Sequence, residues 1–310
     1  LDMALPVFKS RSEIINAIRA TYQQTSLTLR AMYDSRIDAI VTDNLFIRIP
    51  IIDQINEGWG VFDTANVYQS NVYQLEKHLE RIMFSAAGAK IPVPLTLGQM
   101  KEKVLQLISL FDCNNLRVRV FLSKGLVGES SEASGIFYAL LYTDPNQIKP
   151  ETVKERSVSI PLKPKELAVI KTNNYLCNTL CSLEAKEKGG YMGVMLDENG
   201  YLAESAMANV AVILPGGHFR TPLPDKILEG TTIKRVLLFC EELVKSGELQ
   251  SAMRGNISLE EAKHSEEMLI VGGDNIVGIT EFDGEPIGNG AMGLITRKIK
   301  NFLLQDHVSI

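Results

Sequence analysis

The feature that most limits what this chain can fold into is a crowding of short apolar runs on both sides of one polar, proline-bearing break. From 36 to 142 the β-rich runs Ile37–Val41, Phe46–Ile52, Val61–Tyr68, Arg117–Leu122 and Ile136–Tyr142 alternate with helical stretches at 74–88 and 97–111. Beyond the break, strands are expected at 191–197, 209–214 and 267–271, and helices at 174–188, 231–246, 258–263 and 293–305. A parallel pair of strands needs a crossover of about a dozen residues, usually a helix. Strands outnumber the space for such a repeat, so the pattern predicts two α+β domains rather than a doubly wound sheet. The break, TDPNQIKPET, carries two prolines and turn-forming residues without apolar periodicity, and is read as an interdomain linker over 143–152. It separates a small N-terminal domain, 1–142, from a C-terminal domain, 153–310. The N-terminal domain opens with an amphipathic helix over 10–24 behind a serine cap.

Composition removes several classes of function. The net charge of −5 is spread out, with no basic stripe and no aromatic-basic interleaving, so nucleic-acid binding has little support. Four cysteines are too few for a disulfide framework at 310 residues. Cys177 and Cys181 lie one helical turn apart and could chelate a metal, but two reduced thiols on a buried helix face is the plainer reading. The four histidines are scattered singly, so no metal site is expected. No apolar run reaches the roughly 18 residues of a membrane span, and Leu1 to Arg11 lacks the order of a signal peptide. The cytoplasm is the expected location, or an organelle if a leader was trimmed. Gly288–Gly293 spells GxGxxG, yet the 17 residues that follow leave no room for a βαβ unit, so a turn into the last helix is expected.

One ordered set of residues carries chemistry. The apolar run Leu167-Ala168-Val169-Ile170, read as a strand, leads into Lys171, and Tyr175 follows one helical turn later. Glu204 ends a strand that begins after the turn Asp197–Gly200, and Asn209 comes five residues on. Leu228-Glu229-Gly230-Thr231-Thr232 then opens a helix, whose unpaired amides and dipole favour an anion. An amine for a Schiff base, a phenol for a ring oxygen, a carboxylate for a ring nitrogen and a helix N-terminus for a phosphate are the equipment that holds pyridoxal phosphate. Each piece also has a plainer reading: a surface lysine, a packing tyrosine, a solvated glutamate, an ordinary threonine N-cap.

Further fragments join the set in order: Gly58-Trp59-Gly60-Val61-Phe62-Asp63-Thr64, Leu75-Glu76-Lys77-His78-Leu79-Glu80-Arg81-Ile82, Thr221-Pro222 and Gly288–Gly293. From about residue 31 to residue 305 the chain resembles the fold-type IV pyridoxal-phosphate enzymes. These are the branched-chain aminotransferases, D-amino-acid transaminases and 4-amino-4-deoxychorismate lyases, and the likeness is nearest the plant-type D-amino-acid transaminase branch. The resemblance implies a smaller N-terminal α/β domain, a larger β-barrel-like C-terminal α+β domain, and a homodimer whose pockets are each completed by a loop of the partner. It implies that Lys171 forms the Schiff base and then moves a proton, that Tyr175 bonds the ring oxygen, and that Glu204 pairs with the pyridine nitrogen. Asn209 would support the site, while Thr231, Thr232 and Arg81 would hold the phosphate, the arginine by a two-pronged grip. Gly273 stands where relatives often have a threonine and would offer only its backbone amide.

The substrate side follows the family less closely. The Tyr-Ile-Arg-Pro-like run of branched-chain enzymes is absent from Arg117-Val118-Arg119-Val120-Phe121, and the loop 125–132 has no cation. Glu57 falls where relatives often place a pocket-facing side chain; as an anion it would repel a substrate carboxylate unless Arg117 or Arg119 paired with it. The expected activity is transfer of an amino group between an amino acid, D-configured or aliphatic, and a 2-oxo acid. Release of pyruvate and 4-aminobenzoate from aminodeoxychorismate, and a catalytically silent family member, remain the alternatives.

Overall fold

A computed structural model describes residues 10, 12–16, 28–42, 58–68, 71–111, 116–124, 135–143 and 150–308. Residues 12–16 are helical, and the rest of the helix expected over 10–24 lies largely outside the described residues, as do the run Phe46–Ile52, Glu57 and the loop 125–132.

The first sheet has six strands: β1 (Thr28–Asp34), β2 (Ala39–Val41), β3 (Gly60–Tyr68), β4 (Asn71–Val72), β5 (Leu116–Ser123) and β6 (Ile136–Thr143), in the order β2-β1-β6-β5-β3-β4. Neighbours in it run antiparallel. Two helices cover one face. Helix α1 (Leu75–Gly88) buries Leu75, Leu79, Ile82 and Ala86, which recur at helical spacing. Helix α2 (Leu97–Ser109) starts at a capping box formed by Thr96 and Gln99 and buries Met100, Val104, Leu107 and Ile108. These side chains meet Val61, Ala65 and Val67 of β3 and Val118, Val120 and Leu122 of β5 in one core, each full burial contributing about 1.5–3 kcal/mol.

Strand alternation decides what the other face carries. Successive side chains point to opposite sides, so Phe62, Thr64 and Asn66 leave the core together, and the register pairs them with Phe121, Arg119 and Arg117. A polar ladder thus faces the second half of the chain.

That half forms a ten-stranded, barrel-like sheet. Its strands are β7 (Thr152–Glu155), β8 (Ser157–Val158), β9 (Val194–Leu196), β10 (Leu202–Ser205), β11 (Asn209–Leu214), β12 (His218–Thr221), β13 (Ser251–Arg254), β14 (Glu267–Val271), β15 (Ile276–Phe282) and β16 (Glu285–Pro286). The main path runs β16-β15-β14-β11-β10-β9-β8, with β12 and β13 joined through β11 and β7 lying parallel to β15. Strand β7 begins at Thr152, the last residue of the expected linker. Helices α3 (Lys165–Ala168), α4 (Leu176–Glu187), α5 (Thr231–Lys245), α6 (Leu259–Lys263) and α7 (Leu294–Val308) complete this half. Helices α5 and α7 pack against the sheet through Val236, Leu237, Cys240, Ile299 and Leu303. Glu267 accepts from the Ile295 and Thr296 amides, so Gly288–Gly293 is a turn into the last helix.

One sequence expectation is corrected here. The run Leu167–Ile170 is not a strand; Lys165–Ala168 form a single helical turn whose N-cap is Pro164. The Pro164 carbonyl accepts from Leu167 N and Ala168 N at 2.8 and 2.9 Å, which closes the turn, and the apolar run reaches the core through Ala168 and Ile170 while Leu167 stays outside.

Candidate active site

Lys171 is held between the two halves by its backbone. Its amide donates to Ser85 Oγ of α1 at 3.0 Å, and its carbonyl accepts from Phe62 N at 3.0 Å. Asn173 N donates to Gly60 O at 3.0 Å, so residues 171–173 occupy the side of β3 that the short β4 leaves open. The Lys171 side chain then projects beside the polar ladder. Its Nζ donates to Tyr175 Oη at 3.1 Å and lies 5.0 Å from the Phe62 ring centroid. Tyr175, at the N-cap of α4, packs edge-on against Phe62.

Glu204 lies near the end of β10, opposite Asn209 at the start of β11. It is 8% exposed and accepts from Leu228 N at 3.2 Å. Burial pushes its carboxyl up to about 7, against the lowering effect of the Leu228 amide, Lys163 and Lys171. Asn209 holds the next loop from both sides, donating to Leu228 O at 3.0 Å and accepting from Gly230 N at 2.9 Å. A Cβ on Gly230 would meet Asn209 Oδ1 at 2.6 Å, so the close approach needs glycine there. The loop delivers Gly230 as the N-cap of α5 with no side-chain capping bond, leaving the first-turn amides open. Thr231 and Thr232 are the first two residues of that helix, and Thr232 Oγ1 accepts from Asp274 N at 3.3 Å. Gly273, at φ +57°, forms the turn with Asp274 against them.

One edge of the Arg81 guanidinium is engaged within the protein. Its Nε and Nη2 donate to the two oxygens of Asp63 at 2.7 and 2.6 Å, an edge distinct from the Nη1 side. Asp63 is the charged member of the otherwise apolar core row of β3 and also accepts from His78 Nδ1 at 3.0 Å and Thr64 N at 2.7 Å. Burial alone would raise its carboxyl, but Arg81 and His78 hold it well below the usual carboxylate range.

A cavity of about 370 Å³ joins these groups. Its walls include Lys171, Tyr175, Glu204, Asn209, Gly273, Arg81, Thr231 and Thr232, together with Arg117 and Arg119 of the ladder. Arg119 Nε donates to Thr64 Oγ1 at 2.9 Å. The cavity also takes in Lys163, Asn66, Asn178 and Asp274, which reading the sequence did not single out. The alternation of β3 against Arg117 and Arg119 was a usable signal for Asn66; Lys163 had none. Cys181 is buried on α4 with its thiol donating to Met192 O at 3.4 Å. Among the described residues no helix is long and apolar enough to cross a membrane.

Residues 60–282 match the model of the family described as amino-transferase class IV. The chain belongs to the class IV aminotransferases. It is 36% identical to the D-amino-acid transaminase, chloroplastic, of Arabidopsis thaliana over 283 residues, covering 89% of this chain and 76% of the relative. It is 25% identical to a putative branched-chain-amino-acid aminotransferase of Methanocaldococcus jannaschii, over 78% of this chain and 85% of that one. In fold it matches the T.th. branched-chain amino acid aminotransferase complexed with N-(5'-phosphopyridoxyl)-L-glutamate, with a TM-score of 0.79 at 16% identity, covering 90% of this chain and 94% of that one. This class IV aminotransferase is thus an α+β enzyme of fold type IV, and pyridoxal phosphate is its cofactor.

Proposed function

We propose that this class IV aminotransferase moves an amino group between a D-amino acid and a 2-oxo acid, with Lys171 as the residue that carries the cofactor. The observation that carries the reading is that one cavity gathers the Lys171 amine, the Tyr175 hydroxyl, a buried Glu204 and the open N-terminus of α5. These four groups match the aldehyde, ring oxygen, ring nitrogen and phosphate of pyridoxal phosphate, so the donor set fits the group. The preference for D-amino acids is supported by the 36% identity to a D-amino-acid transaminase across 89% of the chain.

Bound pyridoxal phosphate supplies an electron-withdrawing ring that stabilises negative charge on a substrate carbon. The chain's own residues do the rest. Lys171, held 3.1 Å from Tyr175 Oη, is placed to take and return a proton once its amine is free. Glu204, in a site shielded from water where its charge is little screened, would pair with the ring nitrogen. Asn209 keeps the α5 N-terminus in place through the Leu228–Gly230 loop, and the α5 amides, Thr231, Thr232 and the unengaged edge of Arg81 receive the phosphate. Gly273 contributes a backbone amide beside them. Arg119, oriented by Thr64, and Arg117 hold the substrate carboxylate from the ladder.

Two measurements test this. Borohydride reduction of the holoenzyme followed by peptide mapping should place the pyridoxyl group on Lys171; finding it on another lysine sinks the assignment. D-Alanine and D-aspartate should each discharge the visible absorption of the bound cofactor while L-leucine does not; the reverse result would make this a branched-chain enzyme. The working unit is a homodimer, for which light scattering should give about twice the 34.3 kDa chain mass. For location, the expected cytoplasm stands beside the chloroplast named for the Arabidopsis relative, and fractionation of cells expressing the tagged chain separates the two.

A further inference from the structure

Glu204 is poorly compensated for a carboxylate that must stay charged. It accepts from the Leu228 amide, and no side-chain hydrogen-bond donor reaches it among the described residues. Among the described residues, the side chains that act on it are Lys163 from the stretch before α3, Lys171 from the stretch after it, and Cys181 from α4. Burial pushes the Cys181 thiol up to about 12, so it is neutral and gives no cation. Two lysine side chains remain, and one of them is not free for this task, because Lys171 becomes the point of cofactor attachment in the proposed reaction.

Lys163 is the other. It lines the same cavity, and its Nζ sits 5.0 Å from the centroid of the Tyr175 ring. Its backbone is constrained, since Pro164 follows and restricts the preceding residue to extended conformations. A cation over that ring is attracted by the ring's negative face, which keeps the long side chain inside the cavity.

We propose that Lys163 is the standing cation of the active site, a positioning residue that keeps Glu204 in its carboxylate form while Lys171 is occupied and that steadies the Tyr175 ring between two lysines. The inference rests on the proposed role of Glu204 at the ring nitrogen. The physical reason is that a carboxylate out of water is charged only as far as nearby cations and donors offset its lost hydration. With Lys171 occupied, Lys163 is the basic side chain among the described residues that still acts on it.

The test compares the parent with Lys163→Met and Lys163→Arg, each by two readouts. In the cofactor-free protein, infrared difference spectroscopy follows the carboxyl band of Glu204, identified by its loss in Glu204→Gln. Lys163→Met should move the titration midpoint of that band up by about one pH unit, and Lys163→Arg should return it towards the parent. In the holoenzyme, the acid limb of the amino-donor half-reaction should shift upward by a similar amount, slowing Lys163→Met about tenfold near pH 6 and much less near pH 9. An unchanged infrared midpoint in Lys163→Met, or a Lys163→Arg variant that behaves like Lys163→Met in both readouts, overturns the proposal. If no D-amino acid reacts, the substrate reading fails while the infrared midpoint still reports the coupling of Lys163 to Glu204.

Discussion

Asp63 and Glu204 are both buried carboxylates, one bound to the Arg81 guanidinium and the other lining the cavity, yet burial ends differently for them. Asp63 accepts four hydrogen bonds, two from Arg81, one from His78 and one from a backbone amide, and is held firmly ionised. Glu204 accepts from one backbone amide, and burial pushes its carboxyl up to about 7. Burial penalises both; the count and charge of the donors decides which carboxylate stays an anion. The difference suits the two roles. Asp63 serves a permanent structural pair that aims Arg81, whereas Glu204 keeps bonding capacity for a partner that arrives.

The largest expected effect comes from breaking the Asp63 pairing. Asp63→Asn leaves Arg81 a buried cation without its counter-charge, which should cost about 3–5 kcal/mol in urea unfolding of the cofactor-free protein. A cost below about 1 kcal/mol would mean that Arg81 is not organised by Asp63. At Glu204 the loss should appear in rate rather than in stability. Glu204→Gln should retain cofactor on dialysis but slow the half-reaction by on the order of 10²-fold; turnover like the parent's would remove the ring-nitrogen role.

The two carboxylates should also differ in sign against pH. Glu204 has a folded value of about 7 against an ordinary 4.5, so the folded state binds the extra proton and stability falls as pH rises through that window. Asp63, held low, adds stability above its ordinary value of 3.8 that is lost as pH falls through the acid range. The cofactor-free Glu204→Gln protein should therefore gain about 1–3 kcal/mol over the parent at pH 8, with the gain fading towards pH 5. No pH dependence of that difference would show that Glu204 is already compensated. Smallest is the effect of Gly230→Ala, whose Cβ would press on Asn209 Oδ1 at 2.6 Å. It should cost about 1 kcal/mol and weaken cofactor retention, read as faster loss of visible absorption on dialysis.

Much of the fold was legible because it rests on local periodicity. The alternation of Val61–Tyr68 and Arg117–Leu122 marks β3 and β5 and already places Arg117 and Arg119 on one face. The spacing of Leu75, Leu79, Ile82 and Ala86 marks α1, and Gly230-Thr231 marks the start of α5. The short strands β7, β8 and β13 were not legible, since each has four residues or fewer and pairs in parallel with a strand remote in the chain; β12, a hairpin partner of β11, and the seven-residue β1 and β15 were not expected either. Leu167–Ile170 misled for a related reason: an apolar run of four suits a strand or a helical turn equally, and Pro164 decides for the turn. Of the site, the residue types at Lys171, Tyr175 and Glu204 could be named from their order, while Lys163 and Asp274 carry no local mark.

The sequence by itself determined which side chains share a face, where helices begin, and that an amine, a phenol, a carboxylate and a helix N-terminus follow one another in that order, because these depend on neighbours within a turn or a pleat. Only the tertiary structure decided that Lys171 hangs from β3 and Ser85, that one edge of Arg81 is engaged by Asp63, and that Glu204 is left short of donors. Those outcomes depend on which groups burial brings together from segments far apart in the chain, and on how many of them can meet a charge once water has gone.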